Sequence, residues 1–196
     1  MKTLIDRREA LRRTAMIMGA AVSASTVVAF LEGCKNVPDL NYKPIFFNED
    51  QARLISAIAE IIIPKTDTPG AIDAGVPNFI DMLVNECYKP EDQKLFVEEI
   101  KKLDEGAREK YGEYFIDCDG ANQKEYILNT HEDAVRALKK DGTIERPFIL
   151  KLKELTMLGY FVSEPGATQV LQYNQVPGVY RGCVPLNEAG NGKTWA

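Results

Sequence analysis

The sequence predicts an all-α protein. After residue 48, apolar residues recur at helical spacing through most of the chain. The segments they form are bounded by caps, prolines and glycines, and no stretch sustains the alternation of a half-buried strand. The expected architecture is one irregular domain of about six helices (48–196), preceded by an export signal (1–34) and a tether (35–47).

The charge distribution separates the first part from the rest. The chain of 196 residues carries a net charge of −5, with 45% apolar and 27% charged residues. Residues 1–33 hold five basic residues (Lys2, Arg7, Arg8, Arg12, Arg13) and three acidic ones (Asp6, Glu9, Glu32), which leaves the remainder at −7. Such a balance gives no basic patch for nucleic acid. Ala15 to Leu31 contains no charged residue and spans 17 positions, fewer than the roughly 20 that cross a bilayer comfortably. A basic stretch before a short, mild apolar run reads as an export signal. Asp6-Arg7-Arg8-Glu9-Ala10-Leu11-Arg12 resembles the twin-arginine motif, with Arg7 and Arg8 as the pair. The run ends Leu31-Glu32-Gly33-Cys34, which resembles a bacterial lipoprotein box and makes Cys34 a candidate lipidation site. Glu32 departs from that pattern, so ordinary cleavage and retention as a membrane anchor stay open.

The first domain helix begins at Asn48, an N-cap whose Gln51 can complete a capping box. Ile55, Ile58, Ala59 and Ile62 form its stripe, widened by Leu54 and Ile61, and Pro64 stops it. The helix reads as the central packing element. Lys65 to Pro77 is a turn-rich loop (Asp67, Pro69, Gly70, Asp73, Gly75), long for a compact domain and therefore a candidate docking surface. Its two aspartates read as solvated turn residues. A short helix from Pro77 to Tyr88 points Phe79, Ile80, Leu83 and Val84 inward. Pro90 opens another, with Phe96, Ile100, Leu103 and Ala107 in register and Gly112 past its end. Gln123 to Leu138 is helical, in one piece or two, before Asp141-Gly142. Pro147 starts a late helix with Phe148, Leu152 and Leu155 on one stripe, where Gly159 is placed for a close helix contact. Ser163 to Leu171 reads as a loop running into one short helix, and the chain from Tyr173 is aperiodic.

Motifs for chemistry are scarce. Asp117-Cys118-Asp119-Gly120 looks briefly like a calcium loop, but the twelfth position is Leu128 rather than Glu, so it reads as a turn. His131 is the single histidine and reads as a surface residue. There is no Cys-x-x-Cys-His for haem, no cysteine cluster for a metal, and no glycine-rich nucleotide loop or Gly-x-Ser-x-Gly. No catalytic, cofactor-binding or metal-binding residue is therefore assigned to this chain. Cys87, Cys118 and Cys183 could hold one disulfide in an oxidising compartment or remain free thiols.

Three stretches together carry a family resemblance: Ile58 to Ala71 (IAEIIIPKTDTPGA), Gly75 to Ile80 (GVPNFI) and Leu158 to Gly166 (LGYFVSEPG). With the paired arginines, they resemble the gluconate 2-dehydrogenase subunit 3 family over most of Asn48 to Cys183. The resemblance implies a small exported subunit of a membrane-associated sugar or polyol dehydrogenase. FAD and the active site then reside in a large subunit of the glucose–methanol–choline type, and a cytochrome c subunit with haem c often takes the electrons. The small subunit stabilises the large one, and its signal can carry the folded, flavin-loaded partner through the twin-arginine route to the periplasm. Expected interface residues are Pro69 in the loop and Tyr173, Pro177 and Tyr180 in the tail. The competing reading is a stand-alone periplasmic lipoprotein that binds a ligand or another partner.

Overall fold

A computed structural model describes residues 40–142, 145–176, 178–179, 182–188 and 192–194. Within them the fold is helical, with no extended strand; near the C-terminus the Gln172 N–H donates to the Thr194 carbonyl (2.7 Å). Five α-helices and one short π-helical turn match the expected all-α class.

Helix α1 (Glu49–Ile62) starts at the expected capping box: Asn48 Oδ1 accepts the Gln51 N–H (2.8 Å) and Gln51 Oε1 accepts the Asn48 N–H (3.1 Å). It buries Ala52 and every position from Leu54 to Ala59, more than one stripe, because other elements surround it. Helices α2 (Val76–Cys87), α4 (Gly120–Lys140) and α5 (Phe148–Val162) pack on it, as does a 3-10 turn at Phe115–Asp117. The central helix of the sequence is thus the central helix of the fold.

Helix α2 has Pro77 in its first turn and buries Val76, Pro77, Ile80, Asp81 and Val84. Phe79 and Leu83, expected inward, are half-buried, while Asp81 occupies the inward stripe. Its last carbonyls, Val84 and Asn85, accept from Gln93 Nε2 (3.0 and 3.1 Å). Helix α3 (Pro90–Tyr111) buries Phe96, Ile100, Leu103 and Ala107 and ends at Gly112. Its outer face carries solvated pairs such as Lys102–Glu99 (2.7 Å). The sequence Phe115 to Gly120 is more than a turn. After the 3-10 turn, Asp119 caps α4 through the Asn122 N–H (2.7 Å). That cap starts one continuous helix of 21 residues, not two pieces.

Helix α5 closes the domain against α1, α2 and α4. An edge contact of Phe96 with Phe148 (4.9 Å between centroids) ties its start to α3, and Phe96 meets Tyr88, just past α2, in the same way (5.9 Å). The short helix expected near the C-terminus is a single π-helical turn, Gly166–Val170.

From Leu40 onward the segment before α1 is docked. Phe47 is buried, and Leu40, Tyr42 and Phe46 pack against the core. The Asp81 carboxylate, fully buried, accepts the backbone N–H groups of Ile45 (2.6 Å), Phe46 (3.1 Å) and Phe47 (2.9 Å). A buried charge must be compensated, and three aligned amides do this. Burial, and then the Asp81 charge, push the neighbouring Tyr42 hydroxyl well above its usual range.

Candidate functional site

The three stretches behind the family resemblance meet around Tyr160. Pro64 ends α1, and the loop that follows is held from inside by Glu60, on the last turn of that helix. Glu60 Oε1 accepts the Lys65 N–H (2.9 Å) and Oε2 accepts the Ile72 N–H (3.0 Å), so one carboxylate brackets the loop. Ala71 N–H donates to the Ile63 carbonyl (2.9 Å) and Val76 N–H to the Ala71 carbonyl (3.0 Å), which carries the chain into α2. Gly70 is buried in this bracket. A Cβ there would stand 2.7 Å from both Glu60 Oε2 and the Lys65 nitrogen, so the loop closes only around a residue without one.

Helix α5 supplies the second support. Tyr160, 2% exposed, donates its hydroxyl to the Pro69 carbonyl at 2.7 Å. Beside it, Gly159 receives the ring of Phe79 from α2, and a Cβ would lie 2.6 Å from Phe79 Cδ1. This is the close contact expected at Gly159. The Tyr160 carbonyl accepts from Ser163 Oγ (2.6 Å), and Ser163 Oγ in turn accepts the Gly166 N–H (3.1 Å). Each signature stretch therefore supplies part of one junction.

The polar groups of the junction are committed to holding backbone. Both Glu60 oxygens and the Tyr160 hydroxyl are used in this way. Lys65 pairs with Asp73 (2.7 Å), and this contact draws the Asp73 carboxyl below its usual range. Both partners are exposed, so water screens the pair and it adds little stability. The loop aspartates are exposed, as expected, though Asp73 has this partner. What the arrangement does is fix a Pro/Gly surface loop in one shape.

The sequence-derived candidates fare differently. Pro69 lies in the junction, half-buried, with its carbonyl engaged. Tyr173 stands 57% exposed, three residues beyond the π-helical turn. Pro177, Tyr180, Arg7, Arg8 and Cys34 lie outside the described residues. His131 is half-buried, with Nε2 3.2 Å from Lys153 Nζ. Cys87, Cys118 and Cys183 are free thiols. Cys118 is buried, which pushes its thiol up.

Two organising residues escaped the sequence reading, Glu60 and Asp81. Asp81 was detectable, because it shares the spacing of Pro77, Ile80 and Val84, and an acid on an apolar stripe needs a partner. Glu60 carried no such signal. Elsewhere, a concavity of ≈ 710 Å³ lies between the start of α1, α3 and the 3-10 turn, lined by Asp50, Arg53, Ile100, Asp104 and Asp117 among others. Asp104 there accepts the Phe115 N–H (2.9 Å). Among the described residues, no three His, Cys, Asp or Glu side chains gather as a metal site needs, and no helix is long and apolar enough to cross a membrane.

Fold and junction together define an all-α domain whose signature residues shape and hold a surface loop. The family described as gluconate 2-dehydrogenase subunit 3 matches residues 49–178, more than half of the chain, and this protein belongs to that family. No curated protein and no solved structure matches the chain.

Proposed function

We propose that this chain is the non-catalytic small subunit of a periplasmic, membrane-associated sugar or polyol dehydrogenase. Its FAD and active site belong to a separate large subunit of the glucose–methanol–choline type. The observation that carries the proposal is the family match over 49–178, whose name makes the chain a component of a multi-subunit gluconate dehydrogenase. The junction supports the division of labour. A loop braced at Glu60 and Tyr160 is held in one shape before any docking, so docking through it would cost little ordering entropy.

In this reading the small subunit escorts and stabilises its partner. A large subunit folded around FAD cannot be threaded through a membrane unfolded without losing the flavin. The twin-arginine signal at Arg7 and Arg8 gives the folded pair a route to the periplasm. Lipid on Cys34 then keeps it at the membrane, where a cytochrome c subunit with haem c takes the electrons. The Lys65 to Pro77 loop, with Pro69, and the tail carrying Tyr173, Pro177 and Tyr180 contribute to the interface.

The test is affinity purification of the full-length chain from native membranes, followed by flavin spectroscopy and mass spectrometry. A flavoprotein of dehydrogenase size should accompany it, and the chain expressed alone should show no flavin absorbance. Recovery as a stable, monodisperse monomer free of any flavoprotein favours the stand-alone lipoprotein and ends the proposal.

A further inference from the structure

The outward face of α5 changes character halfway along the helix. Its first half presents Lys151, paired with Glu145, and Glu154, paired with Arg146. Its second half presents Met157 (41% exposed), Leu158 (49%), Phe161 (37%) and Val162 (62%). No residue from Leu155 to Ser163 is charged. A surface helix needs one apolar stripe, and α5 already has one in the core through Leu152, Thr156, Gly159 and Tyr160. The last turns of α5 are therefore apolar on both sides, the pattern of a helix covered on both.

We infer that this outer face of α5 is the central docking surface for the flavin-bearing large subunit, an inference that rests on the function proposed above. Size is the first argument. With Met82 (48% exposed), one turn beyond Phe79 on α2, these side chains leave on the order of 400 Å² of apolar surface in water, as much as the largest patch on a typical monomer. That is close to the apolar share of the roughly 800 Å² each side of a standard interface contributes.

Continuity is the second argument. Phe161 packs edge-on against Tyr160 (5.5 Å between centroids), and Tyr160 holds Pro69, so the helix face and the braced loop share one support. Charge is the third. The charged residues along the helix and just past it are Lys151, paired with Glu145, Lys153, Glu154, paired with Arg146, and Glu164, a mixed set and not the basic cluster that an anionic bilayer surface attracts. The occupant that fits is a folded protein presenting an apolar, weakly charged groove.

The test co-expresses the full-length chain with its flavin-bearing subunit and measures the flavin recovered with the small subunit. Leu158→Lys with Val162→Lys should lower recovery roughly tenfold or more, as loss of a central anchor does. Helix content and denaturation midpoint should stay near the wild type, because both side chains already face water. Val162→Lys alone is the second variant should the double change disturb folding, and Glu154→Lys, on the same face but in its polar half, should recover flavin normally. Unchanged flavin recovery in the folded lysine variants overturns the inference while leaving the subunit reading intact. So does loss of self-association, or of binding to anionic vesicles, with flavin recovery unaltered. A wild-type chain that recovers no flavoprotein removes the subunit reading and this inference with it.

Discussion

The carboxylate of Asp81 accepts the backbone N–H of Phe47 at 2.9 Å across 34 residues of sequence, and both residues are buried. With the Ile45 and Phe46 amides added, one side chain on α2 fixes the approach of the chain to α1. Asp81→Asn keeps the shape but replaces one acceptor oxygen with an NH2 group that turns a donor toward donors. We expect a loss of about 2–4 kcal/mol, because buried hydrogen bonds to a charge are replaced by mismatched ones. Urea denaturation should show the lower midpoint, and limited proteolysis should cut first near Ile45. A midpoint equal to the wild type's would mean the amides find other acceptors.

Gly70→Ala forces a methyl group into the bracket formed by Glu60 and the Lys65 nitrogen. The crowding involves backbone, which cannot rotate away, so the expected cost is about 1–3 kcal/mol. Glu60→Gln should be costly too, because an amide can offer only one acceptor oxygen to the Lys65 and Ile72 donors. Thermal denaturation of both variants checks this. Full stability in Gly70→Ala would show that the loop tolerates opening.

Gly159→Ala should act first through Phe79, whose ring supplies the three nearest atoms. A Cβ 2.6 Å from the ring implies a loss of about 1–3 kcal/mol. Phe79→Leu in the same chain should return part of it, giving a coupling of at least about 0.5 kcal/mol in a double-mutant cycle. Strict additivity would place the strain elsewhere.

These three sites show what the sequence could and could not disclose. The capping box at Asn48 and Gln51 and the contact at Gly159 were legible because each follows from local spacing along one helix. The roles of Asp81 and Glu60 depend on which distant amides the fold brings to them. With 29 acidic residues in the chain, composition does not single out these two. The exposed apolar half of α5 was hidden for a related reason. Leu158 and Phe161 look like core residues until the packing shows which side of the helix was already filled.

Asp104 supplies a pH test. Burial raises its carboxyl above the ordinary 3.8, against the Phe115 N–H bond, and nearby Asp117, Asp50 and Glu105 push the same way as burial. The folded state thus holds the proton more tightly than the unfolded chain, and stability falls as pH rises from 3.8 through the folded value. Asp104→Asn can still accept from Phe115 without the charge. It should be at least as stable as the wild type at neutral pH, and melting curves taken from about pH 3 to 7 should show that advantage vanish in acid. A variant less stable at pH 7 than at pH 3, relative to wild type, would contradict the sign.

The bond from Tyr160 to Pro69 spans 91 residues, and α5 also covers α1 and α2. During synthesis, α1 and α2 can pair early, but the face that α5 covers and the loop held at Pro69 stay open until residue 160 has left the ribosome. Long-range closure of this kind slows folding, because chain entropy is lost before the contact rewards it. The core is therefore completed near the end of synthesis. For the function proposed above, that order means that folding finishes only once almost the whole domain has been made, which suits a route that accepts folded cargo and not one that threads an unfinished chain.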